Sequence, residues 1–193
     1  MSEWRSARFE EALVYATQLH AAQRRKGSDI PYVAHLLAVA AIVLEDGGGE
    51  DEAIAGLLHD AVEDQGGAPT RAEIRRRFGD RVTAIVDGCT DADTVPKPPW
   101  RARKERYVAH VKEAPADVRR VSAADKLHNA RAILADYRAH GEALWSRFNG
   151  GREGTLWYYR ALIGAYREAA TEPSGLLDEL ERVVSELERV AGQ

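Results

Sequence analysis

The sequence predicts an all-α, single-domain helical bundle, on three observations. Apolar residues recur at three- and four-residue spacing through most of the chain, no segment shows the alternation of a β-strand, and glycine or proline clusters cut the sequence into helix-sized pieces. No loop is long enough to mark a domain boundary and no internal repeat is visible. The 193 residues therefore read as one domain, with a core over about 6–170 and a C-terminal helix over about 174–191.

Phe9, Leu13, Ala16 and Leu19 carry the periodicity of a first amphipathic helix over Ser6 to Arg25, broken by Lys26-Gly27-Ser28-Asp29. Pro31 opens a second helix through Leu44, apolar on every side apart from His35, and Gly47-Gly48-Gly49 closes it. A helix without a face suited to water is a buried one. The third helix is expected from Glu50 to Asp64, with Ile54, Leu57, Leu58, Ala61 and Val62 as its core stripe. Thr70 and Glu73 form a capping-box pattern for the next helix, and Phe78-Gly79-Asp80 turns the chain into a further one that places Val82, Ile85, Val86 and Cys89 inward. Asp91 to Pro99, with three prolines, is a loop; the basic stretch from Arg101 begins a helix reaching Glu113. Val118 to Tyr137 reads as a helix rich in small residues that allow close packing. Phe148 to Gly154 separates it from an aromatic helix around Trp157, Tyr158 and Tyr159, and Leu176 to Val190 is the last, amphipathic, helix.

Composition narrows the function classes. The formal net charge of −4 gives no global attraction to nucleic acid, and no nucleic-acid partner is expected. The longest apolar run, Val33 to Leu44, is too short to span a bilayer and is interrupted by His35, so no membrane partner is expected either. Cys89 is the only cysteine, which excludes an intramolecular disulfide and fits a reducing, cytoplasmic setting. The sequence carries no signal for oligomeric state.

Chemistry concentrates in His59-Asp60-Ala61-Val62-Glu63-Asp64. On a continuous helix His59 would sit over Glu63 and Asp60 over Asp64, giving one polar face with an imidazole and three carboxylates opposite the apolar stripe. Alone, that face reads equally well as a solvated one. His35 adds weight because a polar group inside an apolar helix needs a partner, and Asp125, between Val121 and Ala132 on its helix, raises the same question. One shared divalent cation explains both together with the His59-Asp60 pair. Two imidazoles and two carboxylates suit manganese, iron, cobalt or zinc, and lack the thiolates of structural zinc.

The residues His35, His59-Asp60 and Asp125 reproduce an H…HD…D signature, and the chain resembles the HD superfamily. Arg24-Arg25-Lys26, Pro31-Tyr32-Val33-Ala34-His35, Leu58 to Asp64 and Asp125-Lys126-Leu127-His128-Asn129 resemble the hydrolase domain of RelA/SpoT homologues over Phe9 to about Tyr166, in the manner of the stand-alone small alarmone hydrolases of metazoan type. The resemblance implies a bundle of the HD-domain type that hydrolyses the 3′-pyrophosphate of guanosine tetra- or pentaphosphate with manganese bound by His35, His59, Asp60 and Asp125. It implies Glu63 and Asp64 as the catalytic acidic pair, Arg25 and Lys26 as the basic motif beside the nucleotide, and Asn129 as a contact to the ribose or to water. Arg24, Lys97, Tyr158 and Tyr159 are further substrate-binding candidates. Read without the resemblance, Arg24 to Lys26 are a basic helix terminus and the tyrosines are core. The loop between Lys26 and Pro31 is shorter than in the metazoan pattern and lies beside the expected base pocket. The competing enzyme reading is an HD phosphatase acting on another phosphorylated nucleotide, such as NADPH or an adenosine alarmone; a non-catalytic nucleotide sensor would require loss of the metal set or the acidic pair, all of which are present.

Overall fold

The computed structural model describes residues 6–91, 98–171 and 174–192, and among these the secondary structure is helical, with a single isolated bridge between Arg24 and Pro31. The chain divides into two compact units, Met1–Asp93 and Thr94–Gln193. Among the described residues no helix is long and apolar enough to cross a membrane.

The first unit contains α1 (Ala7–Leu19), α2 (Val33–Glu45), α3 (Glu50–Leu58), the single turn α4 (Ala61–Asp64) and α5 (Ala68–Cys89). Ser6 caps α1 by accepting from the Phe9 N–H at 2.8 Å. Arg8 then ties α1 to the start of α3, reaching Glu50 through Nη1 and Asp51 at 2.8 Å through Nη2, which also donates to the Phe78 carbonyl at 2.9 Å. That carbonyl precedes Gly79, whose φ of 89° is a left-handed conformation open to glycine at little cost. The chain folds back there, as the sequence predicts. Arg71 donates to both oxygens of Asp87 at 2.7 and 2.8 Å, a pair that a straight helix would hold about 24 Å apart.

Helices α2 and α3 cross where α3 carries Gly56. A Cβ at that position would lie 3.2 Å from the Cα and 3.3 Å from the nitrogen of Ala40, so the absence of a side chain sets how closely the two backbones approach. Leu36, Val39, Ala40 and Val43 of α2 are buried against this side with Ala53, Ile54 and Leu57 of α3. The expectation that α2 is buried all round is corrected: Leu37 is 44% exposed, and Ala34 and Ala41 also face solvent.

Three further expectations change. The first helix ends at Leu19, not Arg25, because residues 20–32 form a tight loop in which the Arg25 N–H bonds to the Ile30 carbonyl at 2.9 Å and the Tyr32 N–H to the Gln23 carbonyl at 3.0 Å. The expected helix from Glu50 to Asp64 is broken at His59-Asp60, where Asp60 adopts ψ −3°. Thr70 and Glu73 do not form a capping box: the helix starts at Ala68 after Gly67, Thr70 donates to the Gln65 carbonyl, and Glu73 is held by Arg76 and Arg77. Those guanidiniums lower the Glu73 pKa to about 2.

The second unit contains α6 (Trp100–Glu113), α7 (Ala116–His140), a 3-10 turn (Gly141–Arg147) that the sequence does not announce, α8 (Gly151–Ala169) and α9 (Gly175–Ala191). The small residues Ala123, Ala124 and Ala130 of α7 are buried, as their size predicts. Ser122 joins three helices through hydrogen bonds to the hydroxyls of Tyr107 at 2.7 Å and Tyr166 at 2.6 Å. Leu180, Val184 and Leu187 bury one face of α9, whose other side meets Arg131 and Arg138 of α7 and Arg160 and Arg167 of α8 through Glu179, Glu186, Glu188 and Asp178. Ser174 caps this helix by accepting from the Leu177 N–H. The α8 helix begins at Gly151, so the expected separator Phe148 to Gly154 is partly helical.

Gly56→Val is expected to destabilise the protein by about 1–3 kcal/mol, because two methyl groups would be driven into the Ala40 backbone. Urea denaturation followed by circular dichroism measures this, and a midpoint equal to that of the natural sequence would remove the close approach as a constraint.

Candidate metal centre and its surroundings

In the first unit α2 and α3 bring two imidazoles together. His35, in the first turn of α2, is 1% exposed, and His59, which ends α3, is 2% exposed. Their ring centroids lie 5.2 Å apart at an interplanar angle of 70°. The His59 Nδ1 is 2.8 Å from the Gly56 carbonyl, which can only accept, so Nδ1 carries the proton and Nε2 carries the lone pair in the neutral ring. That Nε2 stands 3.0 Å from Asp60 Oδ2, and the His35 Nε2 stands 3.7 Å from the same oxygen.

A lone pair facing a carboxylate oxygen at such a distance is repulsive unless positive charge lies between them. Either a proton on an imidazole or a cation supplies it, and two imidazole nitrogens with a carboxylate oxygen are a donor set suited to a borderline divalent ion. His35, His59 and Asp60 thus form a cluster that could hold a divalent metal. The break between α3 and α4 falls at this point. Consequently His59 is buried while Asp60 is half-buried, rather than both lying on one solvent-facing stripe.

The other acidic residues follow one turn later. Glu63 is half-buried and its Oε2 accepts from the Asp91 N–H at 3.2 Å; Asp64 is exposed and accepts from Gln23 Nε2 at 2.8 Å. Gln23 belongs to the 20–32 loop that presents Arg24, Arg25 and Lys26. These three are therefore loop residues, not a helix terminus. Arg24 donates to the carbonyls of Ala21 and Gln23, the Arg25 guanidinium carbon lies 5.7 Å from the centroid of the Tyr32 ring, and Lys26 is exposed.

In the second unit Asp125 is 7% exposed on α7. Asn129, one turn on, donates to its Oδ1 at 2.5 Å, and Lys126 donates to its Oδ2 at 2.5 Å. Burial, the largest single influence, pulls the Lys126 ammonium toward deprotonation, but the Asp125 carboxylate together with Tyr158, Tyr107 and Tyr166 outweighs it, and its pKa stands well above the ordinary lysine value. The ammonium also lies 5.2 Å from the centroid of the Tyr107 ring. Tyr158 and Tyr159 are 6% and 5% exposed, which leaves little of either ring open, and the Lys104 ammonium covers Tyr158 at 4.7 Å. Arg101 stacks on Trp157 at 3.3 Å and pairs with Glu105. Lys97 lies outside the described residues.

Sequence reasoning assigned no role to Tyr32, whose hydroxyl donates to Asp60 Oδ2 at 2.5 Å, to His20, which is buried, or to Lys126. Tyr32 was detectable as the residue one turn before His35; Lys126 as the neighbour of Asp125.

With this geometry in place, similarity to known proteins narrows the reading. A model of the HD domain matches residues 12–156. The chain is 40% identical over 126 residues to the guanosine-3′,5′-bis(diphosphate) 3′-pyrophosphohydrolase MESH1 of Xenopus tropicalis, covering 64% of this chain and 68% of that protein. It is also 40% identical over 127 residues to the GTP pyrophosphokinase of Streptomyces coelicolor, covering 64% of this chain but only 14% of that much longer protein. A solved structure of a metazoan ortholog of SpoT, described as hydrolysing ppGpp, superposes with a TM-score of 0.80 at 24% identity, covering 96% of this chain and 98% of the other; it bears out the fold. A match of this extent across the segment that holds both histidines establishes that the chain belongs to the HD domain family.

Proposed function

We propose that this protein hydrolyses the 3′-pyrophosphate of guanosine tetra- or pentaphosphate, releasing pyrophosphate and GDP or GTP, and that residues 1–193 work as one HD-type domain. The observation that carries this reading is the pair of buried imidazoles aimed at the Asp60 carboxylate, in a chain 40% identical to a pyrophosphohydrolase of that specificity. The ligands in this proposal are His35, His59, Asp60 and Asp125, and the metal is manganese, for which an all nitrogen and oxygen donor set is suitable. When bound, such an ion makes water acidic and polarises a phosphoryl oxygen.

The remaining work falls to side chains. Glu63, held by the Asp91 N–H, is the group that takes a proton from the attacking water, and Asp64 manages the proton at the departing 3′-oxygen. Water adds to the phosphorus next to the ribose, the bond from that phosphorus to the 3′-oxygen breaks, and the proton released by water is balanced by the one the ribose hydroxyl gains. Arg24, Arg25 and Lys26 present positive charge to the phosphates from their loop, with Lys97 as a further contact; a guanidinium can also stack on the base. Asn129 is assigned to the ribose or to water while it steadies Asp125. Tyr158 and Tyr159 support the nucleotide side from within the packing of α8. The partner is a small nucleotide, and a cytoplasmic location matches where such nucleotides are used.

Pyrophosphate release from manganese-loaded protein, offered guanosine tetraphosphate, its adenosine counterpart and NADPH in parallel, tests the assignment. Release from the guanosine substrate that disappears in Asp60→Ala is expected; phosphate from NADPH alone, or no turnover, would overturn it. Asp60→Ala and Asp125→Ala should each lose metal and activity together, read by metal analysis after dialysis, and full manganese occupancy in either would refute its role as a ligand. Glu63→Gln should retain manganese yet turn over about a hundredfold more slowly. An unchanged kcat would remove Glu63 from the mechanism.

A further inference from the structure

We infer that Tyr32 is a positioning residue for the metal centre, holding the Asp60 carboxylate in the orientation in which it can bind the cation. This rests on the metal assignment proposed above and adds a residue to it. Tyr32 immediately precedes α2 and lies one helical turn before His35, so the same backbone fixes both side chains. Its ring meets the His35 imidazole edge-on at 5.4 Å and stacks on the buried His20 ring at 5.3 Å and 16°. The phenol is thereby clamped between two imidazoles.

His20 is itself held from the loop. Gln23 Oε1, an acceptor only, lies 2.6 Å from His20 Nδ1, so the proton of His20 sits on Nδ1. The same oxygen accepts from Gln65 Nε2 at 2.6 Å, and the Gln23 amide donates to Asp64 Oδ2 at 2.8 Å. The chain of contacts therefore runs from Asp64 through Gln23 and His20 to the Tyr32 ring, and ends with the Tyr32 hydroxyl on Asp60 Oδ2.

Oδ2 is the oxygen that both histidine Nε2 atoms face, at 3.0 and 3.7 Å. A carboxylate turns in a broad two-fold well about its last torsion, and nothing in an aspartate selects which oxygen or which lone pair is offered. Here the Tyr32 O–H donates to Oδ2, the same oxygen that both imidazoles face, and so holds that oxygen toward them. Hydrogen bonds of this kind to a metal-ligating carboxylate typically change metal affinity by about 10–100-fold when removed.

The test is Tyr32→Phe in the full chain, which keeps the ring, its stack on His20 and its volume, and deletes only the hydroxyl. Manganese binding is measured by isothermal titration calorimetry on metal-free protein, with the melting curve of the metal-free form recorded beside it. The expected result is an affinity about tenfold or more weaker, a melting curve unchanged, and a parallel rise in the manganese concentration giving half-maximal pyrophosphate release. Equal affinity in the two proteins overturns the inference and leaves the metal assignment standing. Weakened binding accompanied by an equally lowered metal-free melting temperature also overturns it, since Tyr32 would then act on the fold. Failure of the unaltered protein to bind manganese removes the metal assignment itself, and the inference with it.

Discussion

Two imidazoles and a carboxylate packed into a mostly apolar helix crossing need positive charge among them, and the first unit is organised around that need. The Gly56 carbonyl holds the proton of His59 on Nδ1, which turns Nε2 toward Asp60. Gly56 also lacks the side chain that would hold α2 away from α3, so one residue sets both the tautomer of His59 and the reach of His35. Two buried imidazoles turned toward a half-buried carboxylate are stabilised by a cation shared among the three, so a site of this kind favours whatever cation fits it. The polar cluster is thus costly to the empty fold and useful to a metal-dependent one.

The second unit meets the same problem at Asp125 by a different route. Its two carboxylate oxygens are engaged by Asn129 and Lys126, and the ammonium is kept charged by the carboxylate it neutralises. Both of these contacts come from its own helix. The Lys126 ammonium therefore moderates how strongly this carboxylate donates to any further cation.

How much of this was legible in the sequence depends on whether a residue's role is local. His35 stood out because a single imidazole in an otherwise apolar helix has no local excuse, and its burial follows. Gly79 likewise announced a reversal that depends on its own φ. The break at His59-Asp60 was not legible, since Leu57, Leu58, Ala61 and Val62 continue the apolar period straight through it; tertiary contacts, not propensity, end α3 there. The capping pattern at Thr70 and Glu73 failed for a related reason. Two consecutive arginines, Arg76 and Arg77, offer Glu73 oppositely charged partners on its own helix, and the carboxylate pairs with both.

The early end of α1 at Leu19 changes how its basic residues are presented. A helix running to Arg25 would direct its basic residues by helical phase and hold them along an axis. Instead they are carried on a short loop closed by the bonds of Arg25 to Ile30 and of Tyr32 to Gln23, and pinned from beneath by His20 and Gln23. Gln23 touches Asp64 and the next three residues carry the positive charge, so the cations of this loop and one of the acidic residues share a support. A displacement of the loop by an anionic ligand would be felt at Asp64 directly and at Asp60 through the stacked His20 and Tyr32 rings. The loop is thus the element that joins Arg24, Arg25 and Lys26 to Asp64 directly and to Asp60 through the His20 and Tyr32 rings.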